Sequence, residues 1–87
     1  MDLNKLFKLF RDKNLNNIDV SSNENGYFRA FASSGYNGRG DAIEIRLDDV
    51  EAEFSTEIEV RLLRRGEEAI EEIVLSEDVA FKLIEKF

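Results

Sequence analysis

The residues best placed to carry chemistry in this sequence are carboxylates. Asp48, Asp49, Glu51, Glu53, Glu57 and Glu59 fall within twelve positions. Such a set could serve three ends. It could bind a hard cation such as magnesium or calcium, which takes oxygen ligands. It could supply a general acid and base, as glycosidases do with paired carboxylates. It could also present a negative surface to a basic partner. The spacing argues against the first, because the Asp/Asn-rich calcium loop ending in a bidentate Glu is absent. The second needs a cleft between two carboxylates, which a thin sheet built from 87 residues rarely offers. The third fits. Residues two apart on a strand lie about 6.7 Å apart on one face. Glu51 with Glu53, or Glu57 with Glu59, therefore spaces charge much as phosphates are spaced along one nucleic-acid strand. The plainer alternative is solubility, since acids on exposed strands keep a small sheet from pairing edge to edge.

The missing residue types narrow the chemistry further. The chain has no Cys, His, Pro or Trp. Without Cys it has no disulfide, thiolate nucleophile or cysteine zinc site. Without His it lacks the commonest general base and the commonest transition-metal ligand. The expectation is a protein that is not an enzyme and has no catalytic residue, metal or cofactor.

A second candidate is the glycine-rich stretch Gly35-Tyr36-Asn37-Gly38-Arg39-Gly40. It matches neither the dinucleotide-binding glycine pattern nor the phosphate loop that ends in Gly-Lys-Ser/Thr. A strand pattern follows it, so no helix N-terminus points at an anion. It reads as a connector, or as a contact loop presenting Tyr36 and Arg39, residue types enriched at interface hot spots. The aromatic run Tyr27-Phe28-Arg29-Ala30-Phe31 resembles a base-stacking strand, but RNA-binding sheets of that kind need basic surroundings.

Charge supplies the context. Lys and Arg number 12 against 19 Asp and Glu, for a net charge of −7. Residues 1–40 carry six bases and four acids, whereas residues 41–87 carry six bases and fifteen acids. The densest part is 41–59, with eight acids and only Arg46 as a base. Phosphate binding needs clustered Lys and Arg, so direct nucleic-acid binding is not expected.

The elements that must position these residues follow from periodicity. Leu3, Leu6, Phe7 and Phe10 mark one face of a helix over 2–13, with Asp2 as its cap and Asn14 as its stop. Residues 17–21 alternate weakly and, with Asn25-Gly26 as a turn, make a candidate hairpin with 27–32. Alternation does not decide which face of 27–32 is buried. Residues 41–47 alternate cleanly, with Ile43, Ile45 and Leu47 on one side. Residues 48–55 read as a strand extension or a loop. In 56–64, Ile58, Val60 and Leu62 point inward, and 69–75 returns after a turn at Gly66. Ser76 caps a closing helix whose apolar face is Val79, Ala80, Leu83, Ile84 and Phe87.

The fold class is therefore α+β. One domain over 1–87 has two layers, a mainly antiparallel sheet of four strands (three to five fit), and a helix at each end of the chain. Both helices should cover one face of the sheet. The other face carries Glu44, Arg46, Glu57, Glu59 and Arg61. No run of about 18 apolar residues provides a membrane span. Lys5, Lys8 and Arg11 interrupt any secretory apolar stretch, so a cytoplasmic location is expected.

In size, acidity and lack of catalytic residues, the chain is similar in type to phage-encoded inhibitors of host defence, including small anti-CRISPR proteins. The likeness covers no motif and transfers no site. The acidic second half and the missing catalytic residue types point to a protein that blocks a basic surface of a larger protein, expected to be a nucleic-acid-binding one. The expected contact residues are Asp48, Asp49, Glu51, Glu53, Glu57, Glu59, Tyr36 and Arg39. The alternative is an assembly module that pairs as a homodimer.

Overall fold

The computed structural model describes residues 1–22, 27–35, 40–47 and 57–87. The chain runs helix α1 (Leu3–Asp12), strands β1 (Asn17–Ser22), β2 (Phe28–Ser33), β3 (Ala42–Leu47), β4 (Ile58–Leu63) and β5 (Ile70–Val74), then helix α2 (Glu77–Lys86). The α+β reading holds, with five strands. The weakly alternating β1 is a polar edge strand whose six residues are all exposed.

Each helix has local reasons to start and stop. The Asp2 carboxylate accepts the Lys5 backbone N–H at 3.1 Å. Asn14 takes a left-handed φ of 60°. The Asn14 N–H then reaches the Arg11 carbonyl and the Leu15 N–H reaches that of Phe10, both at 2.9 Å, which closes the helix and turns Leu15 into the core. The Ser76 hydroxyl accepts the Val79 N–H at 3.2 Å and starts α2. Glu77 and Asp78 sit in its first turn, where the helix dipole favours anions, and Lys86 sits in its last.

The sheet is an antiparallel meander in the order β1-β2-β3-β4-β5. The register sets Ala30 beside Ile45 and Ala32 beside Ile43. It also sets Ile43 beside Leu62, Ile45 beside Val60, and Leu47 beside Ile58. These residues share one face with Phe28 and Val74 and form the sheet's half of the core. Leu6, Phe10, Ala80, Phe81 and Ile84 form the helical half. Phe28, Ala30 and Ala32 therefore point inward on β2, while Arg29 and Phe31 point outward. On α2 the buried face is Ala80, Phe81 and Ile84, and Val79 is 45% exposed. Residues 77, 80, 81 and 84 follow the helical repeat. Val79 falls on its flank, and that corrects the apolar face read from sequence.

The two helices run parallel. Their starts meet where the Met1 amine lies 3.0 Å from a Glu77 carboxylate oxygen. Their ends meet where Lys13 Nζ donates to the Glu85 carbonyl at 3.2 Å.

Two glycines hold left-handed turns in unequal surroundings. Gly40 has φ +98°, and a Cβ there would stand 2.5 Å from Ser34 Oγ and 3.1 Å from the Gly35 nitrogen. That hydroxyl is already committed, accepting the Asp41 N–H at 2.9 Å. Gly66 has φ +82° and open space around it. In urea unfolding, Gly66→Ala should cost about 1 kcal/mol and Gly40→Ala roughly 2–3 kcal/mol. Equal losses would mean that the Ser34–Asp41 closure is not tight.

Candidate partner-binding surfaces

The face of the sheet away from the helices has no covering layer among the described residues. It carries Asp19 on β1, Arg29 and Phe31 on β2, Glu44 and Arg46 on β3, Glu59 and Arg61 on β4, and Glu71 and Ile73 on β5. Register creates a problem at its centre, because Arg29 stands directly opposite Arg46. Like charges facing each other across a strand pair are destabilising. Each guanidinium is instead held by a carboxylate. Arg29 donates to Glu44 Oε2 from Nε at 2.9 Å and from Nη2 at 2.6 Å. Arg46 Nη2 donates to Glu59 Oε2 at 2.5 Å. Arg61 Nε lies 3.2 Å from Glu71 Oε1. Arg29 also lies over the Phe31 ring, 5.5 Å from its centroid.

This lattice balances the face. Four carboxylates (Asp19, Glu44, Glu59 and Glu71) meet three guanidiniums, which leaves one net negative charge. A groove of about 480 Å³ runs across it, lined by Glu44, Arg46, Glu59, Arg61, Glu71 and Ile73 among others. Its charged walls are already engaged with each other. Among the described residues, no three carboxylates gather in a group that could hold a metal ion.

The expected contact residues fare differently. Asp48, Asp49, Glu51, Glu53, Tyr36 and Arg39 lie outside the described residues. Glu57 is exposed just ahead of β4. Glu59 is half-buried and tied to Arg46, so Glu57 and Glu59 are not an equivalent pair.

A second feature arises from topology. In a meander, alternate connections fall at opposite ends of the sheet. Ser22, Phe28, Leu47, Ile58 and Val74 stand at one end. Both helices begin at that end, because α2 follows β5 directly and α1 runs parallel to it. The described carboxylates there are Asp2, Glu57, Glu77 and Asp78. The acidic segment 48–56 joins Leu47 to Glu57, and both of these anchors stand at the same end. The opposite end is balanced: Arg11, Lys13, Arg64, Arg65 and Lys86 stand there with Asp12, Asp41, Glu67, Glu68 and Glu85, and Arg64 lies over the Phe87 ring at 4.4 Å. The charge difference read along the chain is thus partly a difference between two ends of the molecule.

Sequence reasoning placed Glu44, Arg46 and Arg61 on the open face but missed the Arg29–Glu44 pair. That pair depends on which face of β2 is buried. No family model, curated protein or solved structure matches the chain. Among the described residues, no helix is long and apolar enough to cross a membrane.

The ion pairs should differ in worth. The Glu44 side chain is 20% exposed, whereas the Arg61 and Glu71 side chains are both more than half exposed. A thermal-unfolding double-mutant cycle on Arg29→Met and Glu44→Gln should give a coupling of about 1–2 kcal/mol. The matching cycle on Arg61 and Glu71 should give under about 0.5 kcal/mol. The reverse order would contradict the assigned pairing.

Proposed function

We propose that this chain is a small non-enzymatic binding protein that docks its acidic end on a basic surface of a larger protein. The surface is one that itself binds nucleic acid, and docking blocks it. One observation carries the reading: five carboxylates and no Lys or Arg within residues 48–57. The arrangement of the described residues supports it. Asp2, Glu57, Glu77 and Asp78 stand at the end where that segment leaves and rejoins the sheet. A net charge of −7 steers such a chain toward a basic partner and raises its rate of encounter. The lattice on the open face argues for the end of the molecule over the face, because paired charges there cancel. Inhibition of a host defence system would suit a protein of this type.

A homodimer paired through a sheet edge is the second reading. Exposed Ile70, Ile73 and Leu75 on and beside β5 favour it.

Immobilised protein should capture a nucleic-acid-binding protein from cell lysate and release it to duplex DNA. Capture should fall steeply as salt rises past about 0.1 M, where the screening length is about 10 Å. The triple variant Asp49→Lys, Glu51→Lys, Glu57→Lys should lose it. Capture that is indifferent to both salt and charge reversal would rule the reading out.

A further inference from the structure

The two edges of the sheet are built differently. Edge strand β1 presents Asn17, Asp19, Ser21 and Ser22, and its apolar residues Ile18 and Val20 are 37% and 39% exposed. Edge strand β5 and its next residue present the three most exposed large apolar side chains among the described residues: Ile70 at 58%, Ile73 at 62% and Leu75 at 70%. β5 pairs with β4 alone, so one side of its backbone has no strand neighbour among the described residues. Natural sheets blunt such an edge, because open N–H and C=O groups beside apolar side chains recruit another strand.

We propose that β5 is a docking edge for an extended segment of a partner protein, added as a sixth, outer strand. The segment would carry Lys or Arg between apolar residues. Its chemistry follows from β5 itself. Glu71 points to the open face, where Arg61 already holds it, and Glu72 to the helix face, so the partner position beside Glu72 must answer a carboxylate and the one beside Glu71 meets an exposed ion pair. Ile73 and Leu75 call for apolar or β-branched neighbours on the open face, and Ile70 calls for one on the other. Main-chain hydrogen bonds would supply affinity and these side chains would supply selection.

A second copy of the chain fits less well. Antiparallel self-pairing along the whole of β5 is centred on Glu72 and sets that carboxylate against its copy. Each copy also carries a net charge of −7. A Lys opposite Glu72 turns that repulsion into a cross-strand pair. The inference shares with the proposed function only the sign of the partner's charge.

The probe is the acetylated, amidated peptide Thr-Val-Val-Lys-Lys-Val-Thr, titrated into the labelled full chain and followed by amide chemical shifts and hydrogen exchange. Shifts and slowed exchange should be confined to residues 70–75. Ile73→Lys and Glu72→Lys, both at exposed positions, should each weaken binding at least tenfold while leaving the circular dichroism unchanged. The same peptide with Glu in place of Lys should not bind. The double variant Glu57→Lys, Asp78→Lys should keep the peptide affinity within twofold. Loss in that variant but not in the β5 variants would overturn the edge and leave the acidic end standing. Shifts outside β5, equal binding of the Glu peptide, or no binding would also overturn it. So would a free protein that is already dimeric with protected β5 amides.

Discussion

A sheet covered on one face only is the constraint on which the rest of this structure depends. Five strands need cover, and the chain supplies two helices of ten residues, each about 15 Å long. Both lie on the same side, where Ile43, Ile45, Val60 and Ile58 meet Leu6, Phe10, Phe81 and Ile84. The opposite face must therefore tolerate water while still being made of strands. Its answer is a lattice of guanidiniums and carboxylates, in which Glu44 holds Arg29 and Glu59 holds Arg46, so that each of the two facing guanidiniums is neutralised. Long arginine stems cover the strand backbone while their heads stay paired and hydrated. Such a face resists aggregation without becoming strongly charged.

The same topology decides where the excess negative charge goes. With the open face balanced, the net negative charge falls at the end that holds Asp2, Glu57, Glu77 and Asp78, because at the opposite end Asp12, Asp41, Glu67, Glu68 and Glu85 are matched by Arg11, Lys13, Arg64, Arg65 and Lys86. The helix N-termini at that end bring partial positive charge and ease the crowding of acids there. The molecule thus separates two kinds of surface. One end carries net negative charge, which under the proposed function would steer a basic partner from a distance. One edge, β5, is apolar enough to give short-range contact. Steering and docking need not fall on the same residues.

How much of this could be read from residues alone depends on local pattern. Strands β3 and β4 were legible because Ile43-Glu44-Ile45-Arg46-Leu47 and Ile58-Glu59-Val60-Arg61-Leu62 alternate without a break. The helix ends were legible at Asp2, Asn14 and Ser76, because caps are local chemistry. β2 was ambiguous. Phe28 and Phe31 are both aromatic and sit on opposite faces, so burial was decided by strand partners far away in sequence. β1 was weak because an edge strand has little to bury. On α2 the flank residue Val79 competed with Phe81 for the core, and packing chose the larger ring. The expected contact residues were chosen by charge density. Density along a chain does not say that Glu59 will be spent on Arg46, nor that connections on either side of a strand fall at opposite ends.

The central claim is that negative charge is concentrated at one end of the molecule while the open face of the sheet is neutralised. Relaxation enhancement of backbone amides by a cationic and an anionic paramagnetic probe of equal size reads that distribution directly. The account predicts that the cationic probe exceeds the anionic one most strongly at Asp2, Ser22, Leu47, Glu57 and Asp78. It predicts near-equal effects at Arg29, Glu44 and Arg61. A cationic excess spread evenly over the surface, or strongest on the open face, would contradict it.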